Sequence, residues 1–243
     1  MGGGRAMKSI DYSLYAVSDR GLLRGRPLVQ AVEQAILGGA TVVQLREKTV
    51  STREFVKLAQ EVLAVVRRYR VPLIINDRID VMLAVDADGV HVGQDDMPSA
   101  LARKLIGPEK ILGVSVETVA EARAAVVAGA DYLGAGAVFV TPTKADAGQP
   151  IGLDGLRRIK DAVGIPVVAI GGINAGNLRQ VRETGVDGVA VVSAIFGRED
   201  IRRAAAGLAA IVKTGAAGAG TGDDADGDTE DRNHITERCA RRG

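Results

Sequence analysis

The sequence predicts an α/β fold, a single (β/α)8 TIM barrel over residues 10–213, on three observations. Eight short apolar or β-branched runs alternate with longer stretches whose apolar residues fall at three-and-four spacing, the periodicities of strand and helix. Glycine closes several helical stretches just before the next run, at Gly39-Ala40, Gly129-Ala130 and Gly185-Val186, where a left-handed residue ends a helix. No G-x-G-x-x-G follows the first run, which removes the main sign of a dinucleotide-binding open sheet.

The first run centres on Tyr15-Ala16-Val17. The second reads VVQLREK from Val42, and period two puts Gln44, Arg46 and Lys48 on one face, with Val43, Leu45 and Glu47 on the other. With the apolar pair against the helices, Gln44, Arg46 and Lys48 point into the barrel and rise toward its carboxyl end, where barrel sites lie. Glu47, facing outward, reads as structural. Phe55, Leu58, Ala59, Val62 and Leu63 then mark an amphipathic helix.

The third run, LIIND from Leu73, ends in Asn76-Asp77, and the fourth, GVHVG from Gly89, leads into a loop with Asp95-Asp96. His91, alternating with Val90 and Val92, reads as a hydrogen-bonded interior residue. The fifth, ILGVSV, carries Ser115. The sixth, YLGAGAV, runs into TPTK with Thr141, Thr143 and Lys144, and the ADAGQ that follows predicts a mobile cover. The seventh, VVAIGG, ends in Gly171-Gly172, and the eighth, GVAVVSAI, holds Val192 and Ser193.

Composition agrees with this order. Of 243 residues 47% are hydrophobic but only 3% aromatic, with no Trp, so the core must be Val, Ile, Leu and Ala in layered parallel strands. The net charge of +1, from 31 basic and 30 acidic residues, creates no global field for nucleic acid or an anionic membrane. Any anion site must be local. The single Cys239 and the lack of a secretory leader point to the cytoplasm. Nothing in the composition decides between a monomer and a homo-oligomer.

Two segments do not read as barrel. Residues 1–9 read as a Gly-rich, flexible extension, and residues 214–243, which hold His234 and Cys239, read as a disordered low-complexity tail. The acidic run in the tail fails as a calcium loop. With Gly227 at the sixth position, Gly222 and Asn233 occupy the first and twelfth, where Asp and Glu are required.

The polar residues at the strand ends fall into two chemical groups. Gly171-Gly172 and Ser193 suit the phosphate pocket that barrels build after strands seven and eight, although a Gly-Gly pair also serves as a plain tight turn. Arg46, Lys48 and Lys144 stand with Asp77 and Asp96, a mixture that fits a diphosphate shared between cations and Mg2+. Unpaired inward cations would each cost on the order of several kcal/mol, so either an anion or internal carboxylates must meet them.

On VVQLREK, IIND, GVHVGQDD, ILGVSV, TPTK, VVAIGGI and GVAVVSAI, in this order and spacing, the chain resembles the thiamine phosphate synthase family over Asp11 to Lys213. The resemblance implies small-molecule substrates, hydroxymethylpyrimidine diphosphate and a thiazole phosphate, with Mg2+ as cofactor and no nucleic acid or membrane partner. It implies that Gln44, Arg46, Lys48, Asn76, Ser115 and Lys144 contact the pyrimidine diphosphate. Arg46, Lys48, Ser115 and Lys144 would then be the catalytic set. Asp77 and Asp96 match the metal ligands, while Thr141, Thr143, Gly172, Val192 and Ser193 match the thiazole phosphate site. The alternatives are a thiazole tautomerase-like barrel, which would lack the pyrimidine diphosphate residues, another barrel such as a sugar phosphate isomerase, and a non-catalytic sensor of thiamine precursors.

Overall fold

Eight short segments become the parallel strands β1 (Leu14–Val17), β2 (Val42–Leu45), β3 (Leu73–Asn76), β4 (Gly89–Val92), β5 (Ile111–Val116), β6 (Tyr132–Ala135), β7 (Val167–Ile170) and β8 (Gly188–Val191). They pair in chain order, and β1 closes on β8 with Tyr15 beside Ala190. The helices are α1 (Leu28–Leu37), α2 (Thr52–Tyr69), α3 (Ile79–Val85), α4 (Ser99–Ile106), α5 (Val119–Val127), α6 (Gly152–Asp161), α7 (Leu178–Arg182), α8 (Ser193–Phe196) and α9 (Ile201–Ala216). The computed structural model describes residues 10–141 and 149–216. The barrel expected from the sequence is the one observed.

Strand alternation divides the apolar residues between two cores. Leu14, Val43, Leu45, Ile75, Val90, Leu112 and their equivalents face the helices. Tyr15, Val17, Val42, Ile74, Tyr132 and Val168 fill the barrel itself. The amphipathic stretch predicted around Phe55 is α2: Ser51 Oγ accepts from Glu54 N–H at 3.2 Å, and Arg70 ends the helix at φ 58°. Gly39, Gly129 and Gly185 all have positive φ behind their helices, as their spacing predicts.

The bottom of the barrel carries a repeated stitch. Thr41, Asp88, Asp131 and Asp187 each immediately precede an even-numbered strand, and each side chain accepts the N–H of a residue at the start of the preceding strand. The pairs are Leu14 to Thr41 at 3.1 Å, Leu73 to Asp88 at 2.8 Å, Leu112 to Asp131 at 2.8 Å and Val167 to Asp187 at 2.7 Å. Edge amides that helices cannot reach are thereby satisfied two strands at a time.

Four boundaries differ from the sequence reading. β2 stops at Leu45, so Arg46 and Lys48 lie beyond the strand. A 3-10 turn, Arg20–Leu23, follows β1 before the first α-helix. Ala194 and Ile195 are helical, because Val192 leaves strand geometry at ψ −81°. α9 continues past Lys213 through Ala216. The N-terminal extension, the remainder of the tail, and most of the expected ADAGQ cover lie outside the described residues. Among the described residues, no helix is long and apolar enough to cross a membrane.

Candidate active site at the carboxyl ends of the strands

Gln44 is the inward residue at the top of β2 and only 6% exposed. Its Nε2 donates to Tyr15 Oη at 2.9 Å, and Tyr15 Oη lies 2.7 Å from Tyr132 Oη. Tyr132 Oη reaches His91 Nδ1 at 2.9 Å, and His91 Nε2 reaches Ser115 Oγ at 2.8 Å. Two residues expected in the site, Gln44 and Ser115, are thus joined through the barrel interior by three side chains. Burial, its largest cause, pushes the Tyr15 and Tyr132 phenols well above their usual range, so both remain protonated. His91 is the hydrogen-bonded interior residue its strand position suggests.

Room for this chain comes from the inward glycines of β5 and β6. A Cβ on Gly113 would stand 2.3 Å from Tyr132 Cζ and 2.4 Å from His91 Nδ1, and one on Gly134 2.9 Å from His91 Cε1. Neither contact is tolerable for a real side chain.

A second group adjoins the first through β3 and β4, where Asn76 pairs with His91 and Asp77 N–H donates to the His91 carbonyl at 2.8 Å. Lys48 Nζ lies 2.6 Å from Asp77 Oδ2, and the Asn76 amide donates to the other Asp77 oxygen. Asp96, whose Oδ2 accepts Gly93 N–H at 2.8 Å, stands close enough to act on the Asp77 carboxyl. Burial above all, with Asp96 adding to it and Lys48 opposing it, raises the Asp77 carboxyl above the ordinary range. Among the described residues, no group of three or more His, Cys, Asp or Glu could hold a metal ion. The carboxylates of Asp77 and Asp96 form a pair.

The strand-two cations sit differently from the expectation. Because β2 ends at Leu45, alternation no longer carries Lys48 into the barrel, and its side chain is 53% exposed beside Asp77. Arg46 is half-buried, its N–H donating to Ser18 Oγ at 3.1 Å and its guanidinium 4.0 Å from Asp19. Internal carboxylates therefore meet part of the charge that seemed to demand an anion. Glu47 is buried against Arg20 at 3.4 Å, in keeping with a structural role.

Across the mouth, Gly171 and Gly172 turn at φ 100° and 69°. Side chains there would strike Ala137 and Phe139, so close approach of the loop after β6 requires both glycines. The Gly172 carbonyl accepts from the Asn177 amide at 3.0 Å. Val192 precedes α8 and Ser193 begins it, exposed. Arg26, unremarked in the sequence, fixes that helix by donating to the carbonyls of Phe196, Arg198 and Glu199 at 3.0, 2.6 and 2.8 Å. Thr141 is half-buried; Thr143 and Lys144 lie outside the described residues.

Fold and mouth together define the class, a (β/α)8-barrel enzyme with its polar groups gathered at the carboxyl ends of the strands. The family model for thiamine monophosphate synthase matches residues 14–195. A thiamine-phosphate synthase of Alkaliphilus oremlandii is 56% identical over 205 residues, 84% of this chain and 98% of the relative. One of Chloroflexus aurantiacus is 59% identical over 203 residues, 84% of this chain and 94% of the relative. A solved thiamine phosphate pyrophosphorylase from Pyrococcus furiosus superposes with a TM-score of 0.79 at 48% identity, covering 84% of this chain and 97% of its own. The chain belongs to the thiamine monophosphate synthase family, transferases of thiamine biosynthesis.

Proposed function

We propose that the chain joins hydroxymethylpyrimidine diphosphate to a thiazole monophosphate, giving thiamine phosphate and pyrophosphate. The observation that carries this reading is the adjacency of two groups: the Lys48, Asp77 and Asp96 cluster, and the chain from Gln44 to Ser115. One suits a diphosphate and the other a polar heterocycle.

Asp77 and Asp96 fit a magnesium ion, because two neighbouring carboxylates, one of them raised by burial, are a pair that a divalent cation relieves. When bound, the ion would neutralise charge developing on the diphosphate. Arg46 and Lys48, with Lys144, bind the diphosphate and stabilise it as the carbon–oxygen bond breaks and its electron pair leaves with pyrophosphate. The pyrimidine methylene carbon is left cationic, stabilised by the ring amino group. The thiazole nitrogen then donates its lone pair to form the new carbon–nitrogen bond.

Gln44, Asn76 and Ser115 hold the pyrimidine. Thr141, Thr143, Gly172, Val192 and Ser193 hold the thiazole phosphate, so that its nitrogen lies in line with the departing oxygen. No side chain has to act as a covalent nucleophile. We assign the reaction to the cytosol, where the lone Cys239 stays reduced.

The test mixes purified protein with both substrates and Mg2+ and follows thiamine phosphate by mass spectrometry, with and without EDTA. Metal-dependent product is expected. Folded protein that makes none would overturn the synthase reading and favour a tautomerase-like or sensor role.

A further inference from the structure

We propose that the buried chain from Gln44 to Ser115 runs in one direction, so that Tyr15, Tyr132 and His91 act as positioning residues that set what its two ends offer a substrate. In that direction His91 carries its proton on Nε2. Ser115 then offers a hydroxyl donor to the mouth, and Gln44 offers a carbonyl acceptor.

The direction follows from counting protons. Gln44 faces Tyr15 with Nε2, a nitrogen that only donates, so Tyr15 Oη accepts there. Among the described residues Tyr15 Oη meets one other polar atom, Tyr132 Oη, and a fully buried phenol proton must go to it. Tyr132, having accepted, donates onward to His91 Nδ1. A neutral imidazole with a bare Nδ1 keeps its proton on Nε2 and donates to Ser115 Oγ. The one serine hydrogen cannot return along that bond and points elsewhere.

The two ends are coupled by this arrangement. Turning the Gln44 amide over would reverse every bond, leaving Gln44 a donor and Ser115 an acceptor. One end therefore always accepts while the other donates. The acceptor on β2 and the donor on β5 can each meet a complementary polar atom of a bound aminopyrimidine, whose exocyclic N–H groups donate and whose ring nitrogens accept. That match rests on the substrate proposed above; the chain's direction does not. Gly113 and Gly134, shaped around Tyr132 and His91, make the chain a built feature of β5 and β6.

The first arm of the test is a long-range proton–nitrogen NMR correlation on labelled free protein. The chain has two histidines, so His234→Gln isolates the His91 signals. A protonated Nε2 with a bare Nδ1 is expected, and Tyr132→Phe should turn this into a mixture of tautomers. A protonated Nδ1 in the unmodified chain would overturn the proposal.

The second arm is kinetic. Tyr15→Phe should raise KM for the pyrimidine diphosphate about tenfold and leave KM for the thiazole phosphate unchanged, the scale of one misdirected hydrogen bond. If both KM values and the melting temperature moved together, the tyrosines would merely pack the floor and the proposal would fall. The NMR arm needs no turnover. Inactive protein with a fixed Nε2 proton would overturn the substrate reading and still support the direction.

Discussion

Lys48 Nζ stands 2.6 Å from Asp77 Oδ2, yet Asp77 must also share its position with the carboxyl of Asp96. The Lys48 ammonium pairs with Asp77 while Asp96 opposes it, and a divalent cation would relieve the two acids together. Asp77 sits at φ 60°, a left-handed conformation that asparagine also tolerates, so Asp77→Asn keeps the backbone while halving the carboxylate pair. The variant should need at least about tenfold more Mg2+ for half-maximal thiamine phosphate formation, the scale on which metal sites respond to lost partners. A magnesium titration with unchanged midpoint would remove Asp77 from the metal site.

Arg46 differs from Lys48 in being only loosely paired: among the described residues its ion-pair partner is Asp19 at 4.0 Å. A half-buried guanidinium so loosely paired has its charge available to an incoming anion. Arg46→Ala should lower kcat at least about tenfold with little change in melting temperature, as when one charge-stabilising donor is lost. Near-normal turnover would make Arg46 a structural cation.

The strands were legible because each is a run of β-branched or apolar residues bounded by glycine or polar residues, and the mouth followed because polar residues end those runs. What stayed hidden depended on pairs distant in sequence. Tyr15 and Tyr132 are 117 residues apart, and nothing local to either announces the other. A signal did exist: Gly113 and Gly134 fall at inward strand positions, where missing side chains imply bulky neighbours. The reading of Lys48 as interior failed because period two was carried past Leu45, where the strand ends. The acidic residue before β4, β6 and β8 repeats openly in ADGV, ADYL and VDGV, but its partner amide became visible only with the barrel closed.

Glu47 should give stability a pH dependence of defined sign. Among the described residues its buried Oε1 has no hydrogen-bond partner, and burial raises its pKa, with Arg20 as the main opposing influence. Between the ordinary glutamate range and that raised value the folded chain binds more protons than the unfolded chain. Stability from this group is therefore lost as pH rises through the window. Glu47→Gln removes the titration. Chemical denaturation at a series of pH values should show the variant gaining on the unmodified chain as pH increases, then holding a constant lead. A difference that does not vary with pH would mean Arg20 fully compensates the burial.

Asp131 should be the most costly of the four stitches at the barrel's base. Besides accepting Leu112 N–H, its Oδ2 lies 2.6 Å from Arg103 Nη2, and both side chains are largely buried, at 15% and 16% exposure. The same guanidinium donates to the carbonyls of Gly107, Lys110 and Gly129, so it cannot swing out to water without releasing them. Removing the carboxylate strands a strand amide and a confined positive charge together. Asp131→Ala should cost about 2–4 kcal/mol by urea denaturation, within the range for leaving buried polar and charged groups unpaired. Thr41→Val, which deletes a neutral hydroxyl that accepts Leu14 N–H and donates to the Leu14 carbonyl, should cost about 1 kcal/mol. Equal losses in the two variants would show that the amide bond matters and the Arg103 pair does not.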